Sequence, residues 1–452
     1  MKVGSAAVAV LAGVLLAVTA APAGALEPPQ VVVGSPPADD PPGPELPMKQ
    51  NKGCLASGVL PDSDLSRTPP PELALDLRRA RALSRGAGVT VAVIDTGVQP
   101  GPRLPNLVGG GDYIAAGGDG LSDCDAHGTL VAGIIGATSD PTDGFAGVAP
   151  DARIISIRIR SGAFTPDTPN SDPDQRMAVD IRTMARAITR AANQGAGVIV
   201  ISLPICVPAE ARVDQSMLSA AIGHAVHVRG SLIVAGAGNA AGTANCAQNP
   251  DIDPTRPTDT RNWRDVKTIS TPGWFGADVL TVGFTTATGA PMPDSLTGPW
   301  VSVAAPGTGI ESLGPGGGGL INGVGEPDKL VPVGGASFAA AYVAGVAALL
   351  RSRFPNETPG EIASRLQASA HAPARGIDNT VGAGMIDPLA ALSYRTPPAK
   401  PAGLFQSTEL VMPAPARAKD VRPAVAATAV IVVAVLLGLG GSRANTLLRR
   451  QR

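Results

Sequence analysis

The 452-residue chain lacks an excess of positive charge. Its 36 Lys and Arg are matched by 37 Asp and Glu, which gives a formal net charge of −1 at pH 7, and no basic stripe runs along the sequence. A protein that binds nucleic acid needs clustered Lys and Arg to neutralise phosphates. The sequence therefore argues against a nucleic-acid partner.

Cysteine and histidine are also scarce, with four residues of each. No CxxC pair and no Cys/His cluster occurs, which argues against a zinc site. We expect no metal and no cofactor. An even number of cysteines in an exported chain favours disulfides, and four cysteines allow three pairings. The cysteines are Cys54, Cys124, Cys206 and Cys246.

The N-terminal segment predicts export. Residues 1–25 contain Lys2, an apolar run over 3–18 and the small residues Ala23-Gly24-Ala25. These are the parts of a signal peptide with an A-x-A cleavage site. We expect cleavage after Ala25, and the alternative is an uncleaved anchor.

The C-terminal segment predicts a membrane anchor. Residues 424–441 are apolar and uncharged, with basic residues on both sides, although this length is at the lower margin for a spanning helix. We expect a single transmembrane helix over 423–442, with membrane lipid around it. A short basic tail, 443–452, suits a cytoplasmic C-terminus. The rest of the chain would then be extracytoplasmic, and the alternative is a buried soluble helix.

Proline-rich stretches divide what lies between. Residues 26–77 form an extension whose first part is Pro-rich and acidic, and 396–422 form a Pro/Ala-rich linker. The region 78–395 is long enough for one large α/β domain with a substantial core.

Two polar residues stand at the ends of apolar segments. Asp95 follows the run 89–94, which predicts a buried parallel strand that ends at its carboxylate. The carboxyl ends of such strands are where open α/β sheets place their sites. His127 precedes Gly128-Thr129 and the apolar run 130–135, which predicts the start of a buried helix.

Two further residues have similar settings. Ser337 follows Gly334-Gly335 and precedes an Ala/Val/Leu-rich helix that runs to about Arg351. Asn239 follows the predicted strand 231–235 and a short Gly-rich turn. A serine at a helix N-terminus lies close to unpaired backbone N–H groups, and an Asn amide can donate to a developing oxyanion.

Each of these residues alone has a commoner structural role. An Asp at a strand end is usually a turn former, a Ser that opens a helix is usually its cap, and an Asn after Gly is usually a turn residue. Together they supply a nucleophile, a base, a carboxylate that orients the base and an oxyanion donor. For the other histidines, His224, His227 and His371, we expect structural roles.

The order Asp95, His127, Ser337 is the order found in subtilisin. From about Arg78 to Leu392 the chain resembles the subtilase family of serine proteases, whose fold has three layers and a mainly parallel central sheet. The run Gly382-Ala383-Gly384-Met385-Ile386-Asp387 resembles the end of that domain. The resemblance implies peptide-bond hydrolysis.

The resemblance also implies where substrate binds. The segment containing Ser202 and Leu203 resembles one substrate-binding strand of subtilases, and the segment containing Ser161 and Gly162 resembles the opposing one. Two positions depart from the usual pattern. Ala336 replaces a Thr before the nucleophile, and Pro204 replaces a Gly and stiffens its strand.

The run SFAAAYVAG, which begins at Ser337, resembles the mycosins, membrane-anchored subtilases of type VII secretion systems. This resemblance implies the pairings Cys54–Cys124 and Cys206–Cys246. It also implies an N-terminal arm that wraps the domain, and the shortness of the segment favours this over a folded inhibitory propeptide. The implied partners are secreted protein substrates and the type VII secretion membrane complex. The alternative is a mainly structural subunit of that complex, with secondary proteolysis.

Many subtilases bind calcium, and Asp119, Asp123 and Asp125 lie close together in the sequence. Their spacing does not follow the EF-hand pattern. We expect a solvated acidic loop in preference to a calcium site.

Overall fold

The computed structural model describes residues 26–168, 172–240, 246–317, 319–393 and 422–448. The chain divides into two units, Met1–Pro398 and Ala399–Arg452. The predicted signal peptide, 1–25, lies outside the described residues, as does the predicted linker, 396–422, up to its last residue.

The strands, in chain order, are β1 (Met48–Gln50), β2 (Ala56–Gly58), β3 (Thr90–Asp95), β4 (Leu107–Asp112), β5 (Arg153–Arg158), β6 (Phe164–Pro166), β7 (Val198–Ile201), β8 (Ile205–Pro208), β9 (Leu232–Gly236), β10 (Thr268–Thr271), β11 (Val279–Thr285), β12 (Val301–Pro306), β13 (Ser312–Leu313), β14 (Leu320–Ile321), β15 (Gly323–Glu326) and β16 (Lys329–Pro332). The helices are α1 (Pro70–Ala74), α2 (Leu77–Leu83), α3 (His127–Gly136), α4 (Pro173–Asn193), α5 (Ser216–Gly223), α6 (Ala336–Arg353), α7 (Pro359–Ala368), α8 (Pro388–Ser393) and α9 (Arg422–Leu448).

Seven strands form the central sheet, in the spatial order β12-β11-β9-β7-β3-β5-β4. Every strand pair in it is parallel, so the predicted mainly parallel sheet is confirmed. The chain enters at β3, builds one side with β4 and β5, and then builds the other side from β7 to β12. The carboxyl end of β3 is therefore a topological switch point, which is where such sheets form their sites.

Successive residues of the central strands face opposite layers. In β3, Val91 and Val93 belong to a core shared with α3 and α6, whereas Ala92 and Ile94 belong to a core shared with α4 and α5. This follows from the two-residue period of a strand. Because both faces are covered, residues 91–94 of the strand are all apolar, and the fold has the three layers that the family resemblance implies.

Helix α6 is buried on all sides over its first 15 residues, since most of its side chains are small. Gly345 shows how close the packing is: a Cβ there would lie 2.5 Å from the Cβ of Val148. The helix can therefore pass beneath the sheet, and it brings its first turn to the same edge as the end of β3.

The N-terminal extension lies along the domain and pairs with it. β1 is antiparallel to β6, with Met48 opposite Pro166, and β2 is antiparallel to β15. Ion pairs join Asp39 to Arg190, at 3.2 Å, and Glu45 to Arg182.

Two disulfides link Cys54 to Cys124 and Cys206 to Cys246. These are the pairings that the family resemblance implies. The first ties the extension to the loop before α3, three residues from His127. The second lies beside Leu296, close to the turn after β9.

Helix α9 contains the whole of the predicted transmembrane segment, 423–442, and some of its side chains are outside the described set. Among the described residues, no helix is both long and apolar enough to span a membrane. The membrane anchor therefore stays a prediction.

Helix α5 changes geometry at its C-terminal end. After α5 the turn His224–Val228 is a wider π-helix. Just before β9 begins, the Ser231 backbone N–H donates to the carbonyl oxygen of Ala225 in this π-helix at 2.8 Å.

Replacing both Cys54 and Cys124 by serine should lower the free energy of unfolding by about 2–4 kcal/mol, because the disulfide closes a long loop in the unfolded chain. The two residues are 70 positions apart. Guanidinium unfolding of the purified protein measures the difference. A change below about 0.5 kcal/mol, the usual scatter of surface substitutions, would contradict a stabilising link between the arm and the domain.

Candidate active site

The site lies where the carboxyl ends of β3 and β9 meet the N-termini of α3 and α6. Asp95 is the last residue of β3, and His127 is the first residue of α3. Ser337 is the second residue of α6, and Asn239 lies three residues beyond β9. Each position matches the predicted element end within one residue.

The Asp95 carboxylate is fully buried and has four hydrogen-bond contacts. His127 Nδ1 lies 2.8 Å from Oδ1 and 3.0 Å from Oδ2. The Thr96 backbone N–H donates to Oδ1 at 2.6 Å, and the Ser202 hydroxyl donates to Oδ2. A buried carboxylate is costly without such donors, and here they also fix its orientation toward the imidazole.

The His127 ring is held from two sides. Its Nδ1 faces Asp95, so Nε2 points away from the carboxylate, and the Phe338 ring packs against it with 5.1 Å between centroids. Gly128 permits α3 to approach the segment after β3 closely, since a Cβ at Gly128 would lie 1.9 Å from the Gly97 carbonyl oxygen.

The pKa of His127 is raised above its usual value of 6.5. Burial opposes protonation of the ring, but the charge and hydrogen bond of Asp95, with smaller contributions from Asp123 and Asp125, outweigh it. The side chain is still 23% exposed, so it is open to a proton-transfer partner. The local field therefore stabilises an imidazolium, which is what a base needs after it takes up a proton.

Ser337 is 5% exposed and directly precedes Phe338, whose ring contacts the imidazole of His127. The structure does not join the Ser337 hydroxyl to His127 by a hydrogen bond. Catalytic hydrogen bonds are often long without substrate and shorten when it binds.

Asn239 lies directly against the start of α6. Its Oδ1 accepts the Ala336 backbone N–H at 3.0 Å, so its Nδ2 is left as a donor next to Ser337. Gly335 makes this approach possible: its φ is 136°, and a Cβ there would lie 2.9 Å from Asn239 Oδ1. The structure thus brings the predicted oxyanion donor to the residue before Ser337.

The predicted substrate-binding residues divide into two kinds. Ser202 is fully buried and its hydroxyl donates a hydrogen bond to Asp95, so its side chain supports the carboxylate and is not available to a ligand. Leu203, the next residue, is partly exposed. Ser161 donates its hydroxyl to Asp125 at 2.7 Å, and the Gly162 N–H donates to the same carboxylate at 2.7 Å.

The expectation of a solvated acidic loop is wrong for Asp123, which is 7% exposed and hydrogen-bonded to Thr96 and Thr129. Asp119 accepts the Leu121 N–H and Asp125 binds Ser161. The three carboxylates therefore serve separate local partners. In the part of the chain that the structure describes, no group of three or more His, Cys, Asp or Glu is placed to hold a metal ion, so the residues do not fit a calcium site.

The remaining histidines lie away from the site. His224 contacts Asn193 at 2.9 Å, His227 contacts Asp278 at 2.6 Å, and His371 lies 3.6 Å from Asp387.

Replacing Asp95 by Asn should lower the pKa of His127 from its raised value, because burial of the ring then faces less opposing negative charge. Histidine NMR titration of the native protein and of Asp95→Asn measures the shift. As a control, Asp278→Asn, which removes a carboxylate that contacts His227, should leave the His127 titration unchanged. An unchanged His127 titration in Asp95→Asn would contradict the assigned pairing.

Comparisons with known proteins identify the family of this chain. Residues 86–384 match the model of the Subtilase family, Peptidase_S8. Mycosin-1 of Mycolicibacterium smegmatis is 44% identical over 453 residues, which covers 98% of this chain and 99% of the relative.

Two solved structures are also similar. One is MycP1, a serine protease and essential component of the type VII (ESX-1) secretion system. It is 48% identical, has a TM-score of 0.78, and the match covers 81% of this chain and 100% of that one. The other is a chain of an intact ESX-5 inner membrane complex, 45% identical with a TM-score of 0.80, covering 93% of this chain and 100% of that one. The protein therefore belongs to the subtilase family of serine endopeptidases and, within that family, to the mycosins.

Proposed function

We propose that the protein cleaves peptide bonds with Ser337 as nucleophile, His127 as base and then acid, and Asp95 as the residue that orients the imidazole. The observation that carries this proposal is the hydrogen bond from His127 Nδ1 to the buried Asp95, at 2.8 Å. It fixes the ring tautomer and leaves Nε2 to take the proton of the Ser337 hydroxyl.

In the first step the Ser337 oxygen attacks the substrate carbonyl while Nε2 accepts the hydroxyl proton. The imidazolium then gives that proton to the leaving amine, and an acyl-enzyme remains. Water attacks the acyl-enzyme by the same route in reverse, with Nε2 again taking and returning a proton. Asp95 stays ionised and stabilises the imidazolium in both steps.

The oxyanion would be held by Asn239 Nδ2 and the backbone N–H of Ser337. Both donors are fixed before substrate arrives, because Asn239 is already bound to the Ala336 N–H through its oxygen. Donors that need no rearrangement stabilise the developing charge most effectively.

Substrate would lie between the segment at Leu203 and the segment at Ser161 and Gly162. The Gly162 N–H is engaged by Asp125, so this segment would offer its carbonyl groups to an extended peptide. Pro204, which has no N–H, removes one donor from the opposite segment.

We further propose that the enzyme works beside a type VII secretion channel, anchored by the segment 423–442, and acts on proteins secreted by that system. The related ESX-1 protease and the related chain of the ESX-5 inner membrane complex support this placement. The exposed apolar side chains of α9, such as Leu437 at 72%, support an anchoring role. The catalytic domain would then be extracytoplasmic and the tail cytoplasmic.

A mainly structural role in the membrane complex is the second candidate. The observation that favours it is the match of this chain to the whole of a chain within an assembled ESX-5 complex. Proteolysis would then be secondary to assembly.

Ser337→Ala should abolish hydrolysis of peptide substrates by the purified protein, since loss of the nucleophile in subtilases costs on the order of 10⁶ in kcat. The control is Ser352→Ala at the far end of the same helix, where the hydroxyl binds the Ala87 carbonyl; it should retain activity. Unchanged hydrolysis by folded Ser337→Ala would refute the assigned nucleophile.

The same variant separates the two candidate functions in cells. With Ser337→Ala in place of the native chain, persistence of secretion without processing of secreted proteins would show a structural role beside the proteolytic one. Loss of secretion in this variant would show that proteolysis is the essential function. Comparison of the secreted proteomes gives the readout and identifies the cleaved proteins.

Deleting residues 26–72 should lower the melting temperature without raising peptidase activity, because the arm contributes strand pairs and ion pairs to the domain. The deletion is made together with Cys124→Ser, to avoid a free thiol, and is compared with Cys54→Ser/Cys124→Ser. A large rise in activity would instead identify the arm as an inhibitory propeptide.

A further inference from the structure

Helix α3 has an unusual beginning. The residue before it, Ala126, has a φ of 62° and makes no capping hydrogen bond. The N–H groups of the first turn of a helix need partners from outside the helix. Here the Gly128 N–H donates to the Thr96 hydroxyl at 2.9 Å, and the Thr129 N–H donates to Asp123 at 2.9 Å. Two side chains outside the usual capping position, Thr96 and Asp123, thus cap this helix.

Asp123 is the centre of this arrangement. It is 7% exposed and accepts four hydrogen bonds. The donors are the Thr96 hydroxyl (2.9 Å), the Thr129 hydroxyl (2.7 Å), the Thr129 N–H (2.9 Å) and the Asp125 N–H (3.0 Å). A buried carboxylate with four donors is rigid, because moving it would leave a charge without partners.

Thr96 connects this carboxylate to the reacting groups. Its hydroxyl donates to Asp123 and accepts the Gly128 N–H, while its own backbone N–H donates to Asp95 at 2.6 Å. The Thr96 side chain therefore links the end of β3 to Gly128, the residue after His127. Asp123 accepts hydrogen bonds from Thr96 and from Thr129, the second residue after His127, and makes no hydrogen bond to either Asp95 or His127.

We propose that Asp123 is a positioning residue of the active site, which holds the N-terminus of α3 against the end of β3 through Thr96 and Thr129. The inference rests on the proposed function of Asp95 and His127. It explains why a carboxylate with no basic side chain among its described contacts is buried in this loop.

The charge of Asp123 has a second effect. The carboxylates that bear on the imidazole are Asp95 from β3 and Asp123 and Asp125 from the loop, and all raise the pKa of His127; α6 contributes the uncharged Phe338. Burial raises the pKa of Asp123 itself, against the lowering effect of its hydrogen bonds from Thr129. Neutralising Asp123 should therefore lower the pKa of His127. Since the neutral imidazole is the active base, the acid limb of the pH profile should move to lower pH.

The test compares Asp123→Asn with Asp119→Asn. The second variant removes the same charge from the same loop, at a residue whose side chain accepts the Leu121 N–H. In Asp123→Asn we expect kcat to fall by about tenfold to a hundredfold, because small displacements of reacting groups are costly. KM should change by less than about threefold, since positioning acts on chemistry more than on binding. The acid limb of kcat/KM should shift to lower pH. Asp119→Asn should match the native protein in all three.

Thr96→Val provides an independent variant that keeps Asp123 but removes the hydroxyl link. It should lower kcat in the same way, whereas the His127 pKa, measured by NMR, should remain raised because the Asp123 charge is retained. A native kcat in both folded variants would overturn the proposal. So would a fall in kcat that equals the loss of folded protein measured by circular dichroism at the assay temperature.

Ser337→Ala, assayed in parallel, separates this proposal from the proposed function. If Ser337→Ala is inactive and Asp123→Asn has native kinetics, the positioning role fails and the function stands. If Ser337→Ala is active, the proposed function fails and the positioning role, which rests on it, fails with it.

Discussion

The buried hydrogen bond between Asp95 and His127 is the interaction on which the site depends. A carboxylate inside a protein is tolerated only when donors surround it, and the end of a central parallel strand supplies few of its own. Three neighbouring segments supply the donors to Asp95. They are Thr96 directly after β3, His127 at the start of α3, and Ser202 directly after β7. The geometry of the imidazole is thus set by the requirement to satisfy a buried charge.

The three-layer architecture makes this convergence possible. Because β3 is the first strand of the sheet and lies inside it, the chain crosses over on both sides of it. Helices of both layers are then packed against one strand, and α3 and α6 bring their N-termini to its carboxyl end. The close contacts at Gly128 and Gly345 let the helices carrying His127 and Ser337 approach without displacing the sheet.

Much of this could be predicted from the sequence, since the local patterns are strong. Three elements lie where the sequence predicts them. They are the strand that ends at Asp95, the helix that begins at His127 and the Ala-rich helix that contains Ser337. The environment of Asp123 could not be predicted, because its donors Thr96 and Thr129 are short polar residues with many possible partners. The family resemblance places Ser202 on a substrate-binding strand, but it does not show that the Ser202 hydroxyl reaches a carboxylate more than 100 residues away. The pairing of β1 with β6 is non-local in the same way and has no local pattern.

The Cys54–Cys124 link has a consequence for the integrity of the polypeptide. The residues between the two cysteines include β2, α1, α2 and β3. A single cut anywhere within this stretch would leave the two pieces joined covalently, and the arm would stay attached to the loop before His127. A cut at the exposed Leu55 or Val59 would therefore loosen this segment without releasing the arm from the domain.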